Sequence, residues 1–175
     1  MAGKVYQPGE SYKYPLIIKK LLLTPIIYSP NKEIVYRDKA RFTYRTLYER
    51  INRLASGLEK LGVKQGDTVC VFDYDSNRYL ECYFAVPMMG AVLHTMNWRL
   101  SPEQILYTMN HAEDDVVLIN SDFLPVLEEI WDKLTTVKKV VLLTDEDKKP
   151  ATKLNIDIEY EEMLRGASPT YDFPD

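Results

Sequence analysis

The residue types in this chain that could do chemistry together stand in one short turn. Asn97, Trp98 and Arg99 follow an apolar run, Ala91 to Thr95, and precede a marked helix start at Ser101. Arg99 could fork onto a phosphate, Trp98 could stack on a planar ring, and Asn97 offers both a donor and an acceptor. His94, three residues earlier, brings an imidazole and is a weaker candidate for touching a substrate. A plainer reading has Asn97 capping the turn, Trp98 covering the edge of the core and Arg99 pairing with a surface acid. Residue types alone leave both readings open.

Other chemistries lack support in the sequence. None of the seven glycines falls in a GxGxxG or GxxxxGK[ST] pattern, so no recognisable loop can bring backbone amides close to a polyphosphate. His94 and His111 are the only histidines, and neither is spaced with cysteine or clustered acids as a metal site would need, so none is expected. No serine stands in a GxSxG elbow, and no catalytic residue is assigned. The acidic pairs Asp114-Asp115, Glu128-Glu129 and Glu161-Glu162 are adjacent in sequence and are expected to form solvated faces. A net charge of −4 with no basic stripe argues against nucleic acid as a partner. Cys70 and Cys82 have no disulfide-scaffold density, which points to reduced, buried thiols and a cytoplasmic protein. The short apolar runs predict no transmembrane span, and Pro15 to Thr24 reads as a helix packed on the domain.

The elements that must position the turn are legible along the chain. Glu33–Tyr36 and Ala40–Tyr44 flank a charged turn and predict a hairpin. Leu47, Ile51, Leu54, Leu58 and Leu61 recur at helical spacing, closed by Gly62. Thr68 to Tyr74 reads as a strand buried on both faces, and Asp75-Ser76 can cap a helix towards Met89 that Gly90 ends. After the strand Ala91 to Thr95, the pair Ser101 and Gln104 with Pro102 predicts a capping box and a helix to His111. Strands over Val116–Ile119 and Lys138–Leu143 enclose a helix over Asp122–Leu134, and Ile158–Leu164 suggests a last short helix. Such alternation predicts an α/β fold: four parallel core strands near Val69, Val92, Val117 and Val141, helices on both faces in a Rossmann-like three-layer subdomain, and the hairpin at the edge.

Several of these pieces, in this order, resemble the acyl-adenylate-forming (AMP-binding) enzymes. They are Phe42-Thr43-Tyr44 entering a helix that ends Leu61-Gly62-Val63, the turn Gly66-Asp67 before a strand, and Gly90-Ala91-Val92 leading to Asn97-Trp98-Arg99-Leu100-Ser101-Pro102-Glu103. The wording from His94 to Leu100 is most similar to medium- and long-chain fatty acyl-CoA ligases. The resemblance implies a ligase that turns a fatty acid and ATP, with Mg²⁺, into an acyl-adenylate and then transfers the acyl group to CoA. It implies three parts: a lead-in and helix over 1–33, an α/β N-terminal subdomain over 34–165, and a linker over 166–175 to subdomains that carry the catalytic motifs. It also places the turn Asn97-Trp98-Arg99 near the nucleotide end of CoA, where Trp98 would fill room that small residues leave in other members. On this reading the 175 residues alone are inactive and expose an apolar face where the rest of the enzyme docks. The competing expectation is a self-sufficient binding or regulatory module, or a homodimerisation unit, without such a face.

Overall fold

The computed structural model describes Gly9, Tyr14, residues 16–146 and residues 150–174. The lead-in expected over residues 1–12 lies outside the described residues except for Gly9. Five strands, β3 (Thr68–Phe72), β4 (Val92–Thr95), β5 (Val116–Asn120), β6 (Lys139–Leu143) and β7 (Ile158–Glu159), form one sheet in the order β4-β3-β5-β6-β7. Every pairing in it is parallel. An all-parallel sheet must be covered on both faces, which is why its central strands read as unbroken apolar runs. Val69 and Val71 of β3 face one core while Cys70 and Phe72 face the other.

The two faces are covered unequally. On the first lie α1 (Ile18–Tyr28), α2 (Tyr44–Lys60), α3 (Asn77–Met88) and α6 (Tyr160–Arg165). On the second lie α4 (Pro102–Ala112) and α5 (Leu124–Ile130). The chain order explains the division. From β3 the chain steps outward to β4 through α3, then reverses over β3 to β5 through α4 and onward to β6 through α5. Right-handed crossovers in opposite directions put their helices on opposite faces.

Local signals set the boundaries. Thr43 accepts a hydrogen bond from the Thr46 amide (3.3 Å) to start α2, and Ser76 accepts one from Tyr79 (3.2 Å) to start α3. Ser101 and Gln104 complete the reciprocal capping box that opens α4. Gly90, at φ +80°, turns the chain from α3 towards β4 in the left-handed region that disfavours a side chain. Gly57 lets α6 approach α2, since a Cβ there would lie 2.7 Å from Met163 Cγ.

Four expectations need correction. The hairpin β1 (Glu33–Tyr36) and β2 (Ala40–Thr43) is a separate two-stranded antiparallel sheet and does not extend the edge of the main one. The helix expected over 15–24 runs instead from Ile18 through Pro25 to Tyr28, where the Pro25 carbonyl accepts from Ser29 N (2.9 Å) and so serves the helix end despite the missing amide. Ile158-Glu159 adds a fifth parallel strand, too short for any periodicity to show, before α6 begins. The acidic pairs also split, because neighbours in sequence point apart: Asp114 is fully buried, Glu161 joins an ionic network, and Glu128 accepts from Thr152 Oγ1 (2.6 Å) and Lys153 N (2.8 Å).

That network ties the first face together. Glu81 on α3 is wholly buried and accepts from Arg50 Nε (2.7 Å), Tyr160 Oη (2.7 Å) and Asn77 Nδ2 (3.2 Å). Arg50 also grips Glu161 through both terminal nitrogens (2.9 and 2.8 Å). Arg78 donates to Glu161 (3.1 Å), Asp145 (2.7 Å) and the Thr144 carbonyl (2.9 Å). Residues 166–174, linker-like in composition, lie along α2: Arg53 Nη1 donates to the Ala167 carbonyl (2.8 Å) and Tyr171 N to Asn52 Oδ1 (3.0 Å). On α1, Leu22 is buried, whereas Leu21, Ile27 and Tyr28, like Leu16 just before the helix, are between 64% and 96% exposed. Among the described residues no helix is long and apolar enough to cross a membrane.

Two expected outcomes follow from this network. Arg50→Ala leaves the buried Glu81 carboxylate without a cationic partner and should cost about 3–5 kcal/mol in a denaturant titration; a change within the range of ordinary surface substitutions would contradict the role given to Arg50. Burial raises the Glu161 carboxyl, but the Arg50 and Arg78 contacts outweigh it and hold the group below its usual value of 4.5. A depressed folded value means stability that is present above the usual range and lost as pH falls through the folded one. The unfolding midpoint should therefore fall below about pH 4.5, and the fall should be smaller in Glu161→Gln. An equal fall in both proteins would remove Glu161 as its source.

Candidate functional site

Open parallel sheets offer a ligand crevice outside the carboxyl ends of the strands, where the strand order reverses. Here the order reverses between β3 and β5, so the crevice lies between the loop after β3 and the loop after β5. Asp73, just past β3, is buried and bridges them: Asn120 Nδ2 donates to it (2.7 Å), as do Ser76 Oγ and the Tyr74 amide (2.8 Å). Burial raises the Asp73 carboxyl above its ordinary value, with the Ser76 and Asn120 hydrogen bonds opposing the rise. Asp73 and its partners therefore fasten the two loops to each other.

The mouth of the crevice is packed with rings. Phe123, after β5, stacks on Phe72 at 4.7 Å and meets Tyr74 at 4.8 Å. Trp98, from the turn after β4, packs edge-on to Tyr74 at 5.4 Å and near-parallel to Phe123 at 5.9 Å. Such pairs add about 0.5–1.5 kcal/mol each beyond area burial. The turn after β4 is thus fastened across the switch point by one side chain, Trp98.

The three residues singled out in the sequence do stand together at this edge. Asn97 Oδ1 accepts from the Arg99 amide (3.0 Å) and shapes the turn, and Trp98 is half-buried against the core. Both match the plainer reading of those side chains. Arg99 does not: it is exposed, forms no ion pair among the described residues, and lays its guanidinium over the Trp98 ring at 4.1 Å. The turn therefore presents a planar cation, already ordered by an aromatic face, with its donors towards solvent.

His94 faces another way. It pairs in register with Cys70, and its Nδ1 lies 2.9 Å from both carboxylate oxygens of Asp114. Its Nδ1 contact is with the buried Asp114, and its side chain is 20% exposed. Burial raises the Asp114 carboxyl against the His94 hydrogen bond, and raises the Cys70 thiol further, helped by the Asp114 charge.

Sequence reasoning missed Asp73, Tyr74, Asn120 and Phe123. Only the strand order brings them together, and no spacing along the chain announces it. The tyrosines of α3 also divide: Tyr79 is buried, while Tyr83 is 48% exposed and meets it edge-on at 5.2 Å. With Ile34, Tyr36 and Leu80 they line an apolar groove of about 290 Å³ between the hairpin and α3.

No phosphate cradle is present among the described residues. The left-handed glycines Gly62, Gly66 and Gly90 spend their amides on Glu59, Gly90 and Pro87 carbonyls at 2.9–3.0 Å.

Comparison with known proteins places this geometry. Residues 28–170 match the family model described as AMP-binding enzyme. A long-chain-fatty-acid–CoA ligase of Thermus thermophilus is 46% identical over 137 residues, covering 76% of this chain and 24% of its own length. A medium-chain-fatty-acid–CoA ligase of Ectopseudomonas oleovorans is 33% identical over 171 residues, covering 95% and 31% respectively. The crystal structure of an anthranilate CoA ligase in complex with anthranoyl-AMP superposes with a TM-score of 0.81 at 20% identity, over 92% of this chain and 30% of that one. One of a putative long-chain-fatty-acid CoA ligase from Rhodopseudomonas palustris gives 0.75 at 24%, over 91% and 38%. The chain spans about a quarter to a third of the length of these curated relatives. On the extent of the family match and the identity to these ligases, the chain belongs to the AMP-binding, acyl-adenylate-forming enzymes and corresponds to the N-terminal part of its CoA-ligase members.

Proposed function

We propose that this chain is the N-terminal portion of an ATP-dependent fatty acid–CoA ligase. In the first half-reaction a fatty acid carboxylate attacks the α-phosphorus of ATP to give acyl-adenylate and pyrophosphate. In the second the CoA thiol displaces AMP to give acyl-CoA. The carrying observation is the 46% identity to a long-chain ligase over three-quarters of the chain. In this reading residues 34–165 are one subdomain, 166–175 lead on to the others, and ATP and Mg²⁺ are held beyond these residues. The exposed Leu21, Ile27 and Tyr28 of α1, with Leu16 just before it, support a face covered by more protein, against a self-sufficient regulatory or dimerisation module. The two buried thiols fit a cytoplasmic enzyme.

Within this reading Asn97, Trp98 and Arg99 serve CoA. Asn97 sets the turn, Trp98 anchors it to Tyr74 and Phe123, and Arg99 offers a charged fork to a phosphate of the CoA nucleotide.

The 175 residues alone should release no pyrophosphate from ATP with fatty acids of several lengths, and a polypeptide extended to the length of its relatives should. Turnover by the purified short chain would contradict the proposal.

In the extended enzyme, Arg99→Ala should raise the KM for CoA roughly ten-fold, because a charge-assisted hydrogen bond is worth about 1.5–3 kcal/mol. The adenylation half-reaction should be nearly unchanged, and the unfolding midpoint should move little because Arg99 is exposed. An unchanged KM with a lower midpoint would assign Arg99 to structure alone.

A further inference from the structure

Three donors of different chemistry meet inside the second face of the sheet. Cys70 of β3 and His94 of β4 are register partners on neighbouring strands, so their side chains share a face. Asp114, just before β5, reaches the same point from the opposite side of β3. Ligand atoms of the three lie within 4.8 Å of one another. The Cys70 and Asp114 side chains are wholly buried, and the His94 side chain is 20% exposed.

A buried carboxylate normally has a cationic partner or a metal. Asp114 has neither a lysine nor an arginine among the described residues; Lys138 pairs with its neighbour Asp115 at 2.6 Å. Its facing partner is the His94 ring, with Nδ1 2.9 Å away, which carries a positive charge only when protonated. A divalent cation between a thiolate and a carboxylate would make the cluster neutral.

We propose that Cys70, His94 and Asp114 form a binding site for a borderline-soft divalent cation of the zinc type, with one sulfur, one nitrogen and one oxygen ligand. Thiolate and imidazole select such an ion over Mg²⁺ or Ca²⁺, which prefer oxygen alone. Zinc bonds of about 2.0–2.3 Å in a tetrahedron set ligand separations of roughly 3.3–3.6 Å, so modest side-chain adjustment closes the site.

On binding, the Cys70 thiol gives its proton to solvent and its sulfur pair to the metal. His94 would ligate through Nδ1, the ring keeping its proton on Nε2. Nε2 has no protein partner and, since no buried polar atom is left unpaired among the described residues, it reaches solvent. The fourth position falls to the second Asp114 oxygen or to a water entering beside His94. The metal would join β3, β4 and the start of β5, stiffening the edge strand from which the Asn97–Arg99 turn projects. The site can be tested apart from the ligase reading, because cation binding is read without turnover.

Titration of the chelator-treated chain, reduced with a non-thiol reagent, by Co²⁺ tests this directly. The expected result is saturation at one cation per chain with a thiolate-to-cobalt charge-transfer band, displaced by Zn²⁺, with about one proton released per cation. Asp114→Asn should weaken binding at least about ten-fold. The chain has two cysteines, so Cys82→Ser leaves Cys70 as the sole thiol and should keep the band, whereas Cys70→Ser should abolish it. If Cys70→Ser does not fold, Cys82→Ser alone decides the assignment. Absence of the band in the folded parent chain, its loss in Cys82→Ser, its survival in Cys70→Ser, or unchanged affinity in Asp114→Asn would overturn the site.

Discussion

The arrangement rests on a single buried carboxylate. Glu81 sits in the middle of α3 with no exposure, and its charge is tolerable only because Arg50 of α2 lies against it and Tyr160 of α6 donates to its other oxygen. That requirement brings three helices from distant parts of the sequence to one point. Arg50 passes the constraint to Glu161, and Glu161 shares it with Arg78, whose remaining donors hold Thr144 and Asp145 just past β6. The loop at the carboxyl end of β6 is therefore fixed to the helical layer by ions, while apolar packing fixes the strand itself. Apolar contacts alone would tolerate sliding of these helices; a bidentate guanidinium clasp does not.

The carboxyl edge inherits this order. Asp73 links the loops after β3 and β5, and the ring of Trp98 reaches across from β4 to the same place. The position where doubly wound sheets leave a ligand crevice is filled by side chains. The exposed chemistry is displaced by one strand, to Arg99 on the far side of the Trp98 ring. In the proposed reading, this displacement lets the turn receive a planar, phosphorylated ligand against the outside of the sheet. It also explains why a large residue can stand at Trp98: its bulk is absorbed by Tyr74 and Phe123.

Much of the fold was legible because it rests on local chemistry. The apolar stripe of α2, the Ser101–Gln104 box and the unbroken apolar runs of β3, β5 and β6 each announce their element within a short window. Features set by distant pairings were not legible. β7 is two residues long and exists only as a partner to β6, and the hairpin forms its own sheet because nothing in its residues specifies what it meets. The paired acids failed for the same reason: Asp114 and Glu161 resemble the acids beside them in sequence, and only the fold shows that His94 and two arginines stand opposite them. At the candidate site the residue types of the turn were readable, and its anchoring across the switch point was not.

The proposed role of the turn after β4 requires CoA to lie against it. The direct measurement is photo-crosslinking of the chain extended to the length of its relatives with CoA carrying a photoreactive group at its nucleotide end, followed by peptide mapping. Adducts are expected within residues 96–101, suppressed by excess unlabelled CoA and reduced in Arg99→Ala. Competed adducts elsewhere, with residues 96–101 unmodified, would contradict that role.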